Sequence, residues 1–153
     1  MKGLKDKVVI VTGGAGGIGS ATCRRLAEEG AKVAIFDMNI EAAEKLAQEI
    51  NHQNGQALAV QCDITQSDVV EQAVQQVETA LGPIDGLVNN AGWDIFKPFV
   101  KSNPQEWDKL IQINLVGMLN MHFAVLKGMV ERNSGSIVNI ASDAARVGSS
   151  GEA

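Results

Sequence analysis

Tyrosine is absent from this 153-residue chain, cysteine occurs twice, and aromatic residues make up only 4% of it. The two thiols, Cys23 and Cys62, belong to no C-x-x-C pair. That excludes a disulfide framework and reads as two reduced, packed side chains of a reducing compartment. His52 and His122 are far apart in the chain, with no ligand at metal spacing beside either, so no metal site is expected. The net charge is −5, and no block of Lys and Arg relieves it. A chain without such a block cannot neutralise a phosphate backbone, so nucleic acid is excluded as a partner. No apolar run approaches the ~18 residues of a membrane span. The opening MKGLKDKVVI turns directly into a short strand, so no membrane association is expected and the reading is of a soluble, cytoplasmic protein.

Glycine, by contrast, is plentiful, and short apolar runs recur at Val8–Val11, Val33–Phe36, Ala57–Val60, Ile84–Val88 and Ile137–Ile140. They are mostly continuous, as in strands covered on both faces. Four helical patterns alternate with them. The first puts Ile18, Ala21, Thr22 and Leu26 on one face and stops at Gly30; the second uses Ala43, Leu46, Ala47 and Ile50. In the third, Thr65 and Asp68 form a capping box before the stripe Val70, Ala73, Val74 and Val77, and Gly82-Pro83 ends it. The fourth opens with Asn103, Pro104 and Glu106 and runs through Trp107, Leu110, Ile111, Leu115, Leu119 and Val125 toward Arg132. Its apolar residues wrap so widely that two buried faces are expected, one on the sheet and one against another helix or a subunit. The alternation predicts one α/β domain over residues 1–153, a parallel, doubly wound sheet of five strands and four helices.

Between the first strand and first helix lies TGGAGGIGSATC, residues Thr12–Cys23. Gly14 to Gly19 fits G-x-G-x-x-G, whereas Thr12, Gly13, Gly17, Ile18 and Gly19 fit T-G-x-x-x-G-x-G. The second register places the turn at the strand's end and is preferred. In either register, unpaired N–H groups at a helix start, with the positive end of its dipole, suit a pyrophosphate. Asp37 ends the second strand, where its carboxylate would accept from the adenosine ribose hydroxyls and repel a 2′-phosphate; it could equally cap the next helix. No arginine stands at Ala15 or Gly16 and Met38 and Asn39 add no positive charge, so NAD is favoured over NADP.

Taken together, Thr12–Gly19, Asp63 after the third strand, Asn89-Asn90-Ala91-Gly92 after the fourth, and Asn114 with Ser142 resemble the short-chain dehydrogenase/reductase family along the whole chain. The resemblance implies a Rossmann-type fold and an oxidoreductase acting on a small-molecule alcohol or ketone. It implies that Asp63 bonds the adenine amino group, with Ile64 beside it in the cofactor site, and that Asn90, Ala91 and Gly92 line the cofactor while bracing the central strands. Asn114 would help hold a water in a proton relay, and Ser142 would polarise the substrate oxygen as a hydrogen-bond partner. Plainer roles stand beside these: a helix cap for Asp63, a turn for Asn90 and Ser142, a satisfied core amide for Asn114.

The family's acid/base tyrosine and its lysine, in Tyr-x-x-x-Lys, follow that serine at a spacing that would fall past Ala153. The expectation is therefore an amino-terminal portion of a longer dehydrogenase, inactive alone, with the fifth strand left as an exposed edge, the long helix's outer side open to association, and a homo-oligomer at full length. Within the family, Gly92–Phe99 and Ser142–Ala153 resemble a form that oxidises the ring hydroxyl of a cyclic hydroxyacyl-CoA. Trp93, Ile95 and Phe96 could wall a ring, and Arg146 could meet a carboxyl or phosphate. A 3-oxoacyl thioester reductase and a nucleotide-binding module without chemistry remain alternatives.

Overall fold

The computed structural model describes residues 3–143. Five parallel strands form one sheet in the order β3-β2-β1-β4-β5: β1 Val8–Thr12, β2 Lys32–Asp37, β3 Gln56–Gln61, β4 Ile84–Asn89 and β5 Ser136–Asn139. The helices are α1 Gly17–Glu28, α2 Ile40–His52, α3 Ser67–Leu81, α4 Pro104–Ile111 and α5 Gly117–Glu131. Side chains alternate across the pleat, so Val9, Val11, Val33 and Ile35 meet Cys23, Ala43, Leu46 and Ile50 of α1 and α2. Val8, Ile10, Ala34 and Phe36 face the other way, against Val70, Val74 and Val77 of α3 and Met121 and Val125 of α5. Both faces are covered, which is why the strands read as unbroken apolar runs rather than alternating ones.

The stripe expected on α1 is corrected. Ile18 is 67% exposed and Ala21 is exposed as well; Leu26 does pack against the core, but the fully buried residues are Gly19 and Cys23, one turn apart. Here the helix approaches the chain below so closely that only glycine fits, which turns Ile18 outward. The Thr65–Asp68 capping box does not form either. Asp63 Oδ1 captures both the Thr65 N–H (3.0 Å) and the Thr65 hydroxyl (2.8 Å), and α3 starts from Gln66 without a side-chain cap. Its stop at Gly82, φ +108°, is as expected.

The long fourth helix is present but carries a π-turn, Gln112–Val116, between α4 and α5. Its start has Asn103 as the cap and closes into a capping box, with Asn103 Oδ1 accepting from Glu106 N–H and Glu106 Oε2 accepting from Asn103 N–H, both at 3.1 Å. One face, Gly117, Met121, Val125 and Met129, packs on α3 and β4. The second face is not covered by the described residues: Ile111, Leu115, Leu119, Phe123 and Val130 are all exposed. Over Pro104–Glu131 the helix is long and apolar enough to cross a membrane by length and composition. Asn114, Asn120 and His122 break its apolar run in sequence without breaking the helix, which is why run length alone does not reveal it. Strand β5 forms the expected sheet edge, with Val138 and Ile140 exposed. Arg146 and the tail 147–153 lie outside the described residues.

Candidate functional site

Strand order reverses between β1 and β4, and at such a switch point the loops leaving neighbouring strands diverge and open a crevice at the carboxyl edge of the sheet. A cleft of about 990 Å³ lies there. It sits at the large end of the roughly 300–1,000 Å³ range of small-molecule sites. Its walls are the glycine loop, the end of β2, the turn after β3, the segment after β4, and α4 with the π-turn.

Gly13 begins the loop at φ +59°, a left-handed angle that a side chain would strain. Helix α1 then starts at Gly17, so the N–H groups of Gly17, Ile18 and Gly19 have no intrahelical acceptor, and no acidic residue in the first turn competes for them. All three residues line the cleft. Two glycines there do different work. A Cβ on Gly19 would meet Gly13 O at 2.1 Å, whereas a Cβ on Gly17 would meet, among the described residues, no atom beyond its own turn within 4 Å. Gly19 is required by packing; the space at Gly17 is left open on the cleft side of the helix start, where an anion would approach.

Thr12 is almost wholly buried, and its Oγ1 accepts the N–H groups of Asn90 and Ala91, both at 3.0 Å. Asn90 Nδ2 donates to Thr12 O (3.0 Å) and Gly13 O (3.1 Å). The Thr12 side chain is thus a brace rather than a cleft-wall group, while Asn90, Ala91 and Gly92 reach the wall. Asp37 lies against the glycine loop and lines the cleft. Its Oδ2 accepts from Ala15 N–H at 3.0 Å and its Oδ1 from Asn39 N–H at 2.9 Å, so the carboxylate is held by backbone on both sides. The cap of α2 is Asn39, not Asp37. Asp63 and Ile64 also line the cleft.

Asn114 lies within the π-turn and spends its amide on one residue: Oδ1 accepts from Trp93 N–H at 2.9 Å, and Nδ2 donates to Trp93 O at 2.7 Å. A π-turn inserts an extra residue into the helix, and such turns recur at functional sites. The Lys109 ammonium lies 4.1 Å from the centroid of the Trp93 ring, and Lys97 pairs with Glu106 at 2.7 Å. That ion pair holds the Glu106 carboxyl below the usual carboxylate range. Of the proposed ring wall, only Trp93 borders the cleft; Phe96 is 72% exposed and stacks on nothing there. Ser142 follows β5, exposed, and is not part of the cleft wall.

Cys62 borders the cleft and Cys23 lies under the glycine loop; burial pushes both thiols up to about 12, so neither is a nucleophile at neutral pH. Among the described residues no three His, Cys, Asp or Glu side chains gather closely enough to hold a metal. Sequence reading missed Lys109, Gln112 and Ile113 as cleft residues. Their i, i+3, i+4 spacing puts them on one helix side, a signal hidden by the apolar stripe that overlaps it.

Glycine loop, helix start and strand-end carboxylate at a switch point define a dinucleotide-type α/β site. The chain belongs to the short chain dehydrogenase family, whose model matches residues 7–153. It is 41% identical over 144 residues to D-threitol dehydrogenase from Mycolicibacterium smegmatis, covering 94% of this chain and 55% of that protein. The NAD+-bound crystal structure of a xylitol dehydrogenase superposes with TM-score 0.92 at 38% identity, covering 97% of this chain and 57% of that one. A metagenomic short-chain oxidoreductase in complex with NADP gives TM-score 0.86 at 36% identity, over 91% and 63% of the two chains. The chain therefore spans little more than half the length of these relatives.

Proposed function

We propose that residues 1–153 form the NAD-binding Rossmann unit of an oxidoreductase that moves hydride between nicotinamide and a secondary alcohol or ketone. The observation that carries this is the pairing of Asp37 with the glycine loop, which sets a fixed carboxylate and an acid-free helix start in the wall of one cleft. The N–H groups of Gly17, Ile18 and Gly19 would hold the pyrophosphate, Asp37 the ribose hydroxyls, and Asp63 with Ile64 the adenine. When bound, the cofactor supplies the hydride acceptor. Asn114 fixes the Trp93 segment beside it, and Ser142 would donate a hydrogen bond to the substrate oxygen. The chain contains no tyrosine. Positioned acid/base catalysis is worth roughly 10²- to 10⁴-fold, so turnover by this chain alone is expected to be negligible.

For the substrate we favour a cyclic hydroxyacyl-CoA, in the manner of 2-hydroxycyclohexanecarboxyl-CoA dehydrogenase, with Trp93 as the apolar wall. Homo-oligomerisation through the uncovered apolar face of α4 and α5, in a cytoplasmic setting, belongs to the same reading. Titration calorimetry of the chain with NAD+ and NADP+ tests the cofactor assignment. Tighter NAD+ binding is expected, and NADP+ bound at least as well as NAD+ overturns it. For substrate, the whole protein should turn over cyclic hydroxyacyl-CoA faster than linear 3-oxoacyl thioesters; the reverse order rejects the ring assignment.

A further inference from the structure

Asn120 stands in α5, a helix whose buried side is otherwise made of Gly117, Met121, Val125 and Met129. Asparagine is a weak helix former that usually competes with the backbone, so its place here calls for a partner. It has one: Nδ2 donates to the backbone carbonyl of Ile64 at 2.9 Å. One turn earlier, Gly117 passes so close to the same residue that a Cβ there would lie 2.6 Å from both Cδ1 and Cγ1 of Ile64. A donor and a missing side chain on α5 thus converge on one residue of the cleft wall.

The turn that carries Asp63 and Ile64 shapes itself. Asp63 Oδ1 takes the Thr65 N–H and hydroxyl, and Gln66 N–H closes on Asp63 O at 3.1 Å. Bonds internal to a turn set its form but not its distance from the glycine loop opposite. The bond from Asn120 ties the turn to a helix that is itself packed on α3 and β4. Gly117 lets that helix come close enough for the bond to form.

We propose that Asn120 is a positioning residue for cofactor recognition, which through Ile64 holds the Asp63–Ile64 wall at the depth the adenine end of the dinucleotide requires. The proposal rests on the NAD-binding reading above. Asn120 is not itself part of the cleft wall and acts only through Ile64.

Three variants separate the parts. Asn120→Leu removes the donor, Asn120→Asp keeps the shape but offers only acceptors, and Gly117→Ala presses on Ile64 from below. Hydrogen exchange of the cofactor-free chain is read over residues 62–66 and over the glycine loop. Titrations then use NAD+, ADP-ribose and nicotinamide mononucleotide. Exchange is expected to quicken over 62–66 and stay constant over Gly13–Gly19. NAD+ and ADP-ribose should bind roughly three- to tenfold more weakly, the size of one lost hydrogen bond, with the mononucleotide unaffected. Equal weakening of all three ligands, or unchanged exchange over 62–66 in both Asn120→Leu and Gly117→Ala, overturns the proposal. A wild-type chain that binds none of the ligands overturns the NAD reading and, with it, the recognition role of Asn120. The exchange arm still decides whether Asn120 holds the turn.

Discussion

Gly19 and Gly13 are locked together: a Cβ built on Gly19 would stand 2.1 Å from the carbonyl oxygen of Gly13 and 2.8 Å from Asn90 Nδ2. Both obstacles are fixed, one being backbone and the other a side chain bonded to Thr12 O and Gly13 O. Gly19→Ala must therefore part the glycine loop from α1. Overpacking of this kind costs about 1–3 kcal/mol. A lowered melting temperature and at least tenfold weaker NAD+ binding are expected; a variant that melts and binds like wild type would show the loop to be loose.

Gly17→Ala provides the contrast. Among the described residues, nothing beyond its own helix turn lies within 4 Å of the added Cβ, so stability should change by no more than about 0.5 kcal/mol. On the proposed reading, the methyl group would crowd the pyrophosphate at the helix start. Weakened NAD+ binding at unchanged melting temperature is the expected pair of results, read by calorimetry and thermal denaturation.

Asp37 has two tasks, and substitution should separate them. Asp37→Ala removes the charge proposed to repel a 2′-phosphate and also the acceptor for Ala15 N–H. NAD+ binding should fall, and the preference for NAD+ over NADP+ should narrow, with absolute NADP+ affinity limited by the loosened loop. Asp37→Asn, which keeps an acceptor for Ala15, should narrow the preference while retaining more total affinity. Equal losses for both cofactors in both variants would leave Asp37 with only its structural task.

How far the sequence revealed this molecule depended on how local each cause was. The strands, the box at Asn103 and Glu106, the stop at Gly82 and the T-G-x-x-x-G-x-G register all follow from neighbours in the chain, and the structure shows them. The inward face of α1 was misread because its cause is distant: Gly19 faces Gly13 and Asn90, and helical periodicity counts glycine as no contact at all. Thr65 was misread because Asp63, two residues upstream, outcompetes the helix start for its hydroxyl. At the site, Asp37 was read from its place at the end of the second strand and Asp63 from the family resemblance; both line the cleft. The bond from Asn114 to Trp93 was not legible, since it needs the π-turn, which no side-chain pattern announces.

Alkaline stability should report the two thiols. Both are ordinary, near 9.0, when unfolded, and burial raises them to about 12 when folded. Between those values the unfolded chain releases protons that the folded chain keeps, so the thiols' contribution is complete below about 9 and is lost as pH rises toward 12. Denaturant midpoints measured from pH 8 to 11 should fall less steeply in Cys62→Ala than in wild type. Parallel slopes would mean that Cys62 ionises as readily in the fold as outside it.

The claim that matters most is that the open N–H groups of α1 grip the dinucleotide. Amide exchange at Gly17, Ile18 and Gly19, measured with and without saturating NAD+, tests it directly. Strong protection of these three amides on adding NAD+, much weaker with nicotinamide alone, is the expected result. Binding of NAD+ that leaves their exchange untouched would contradict the account.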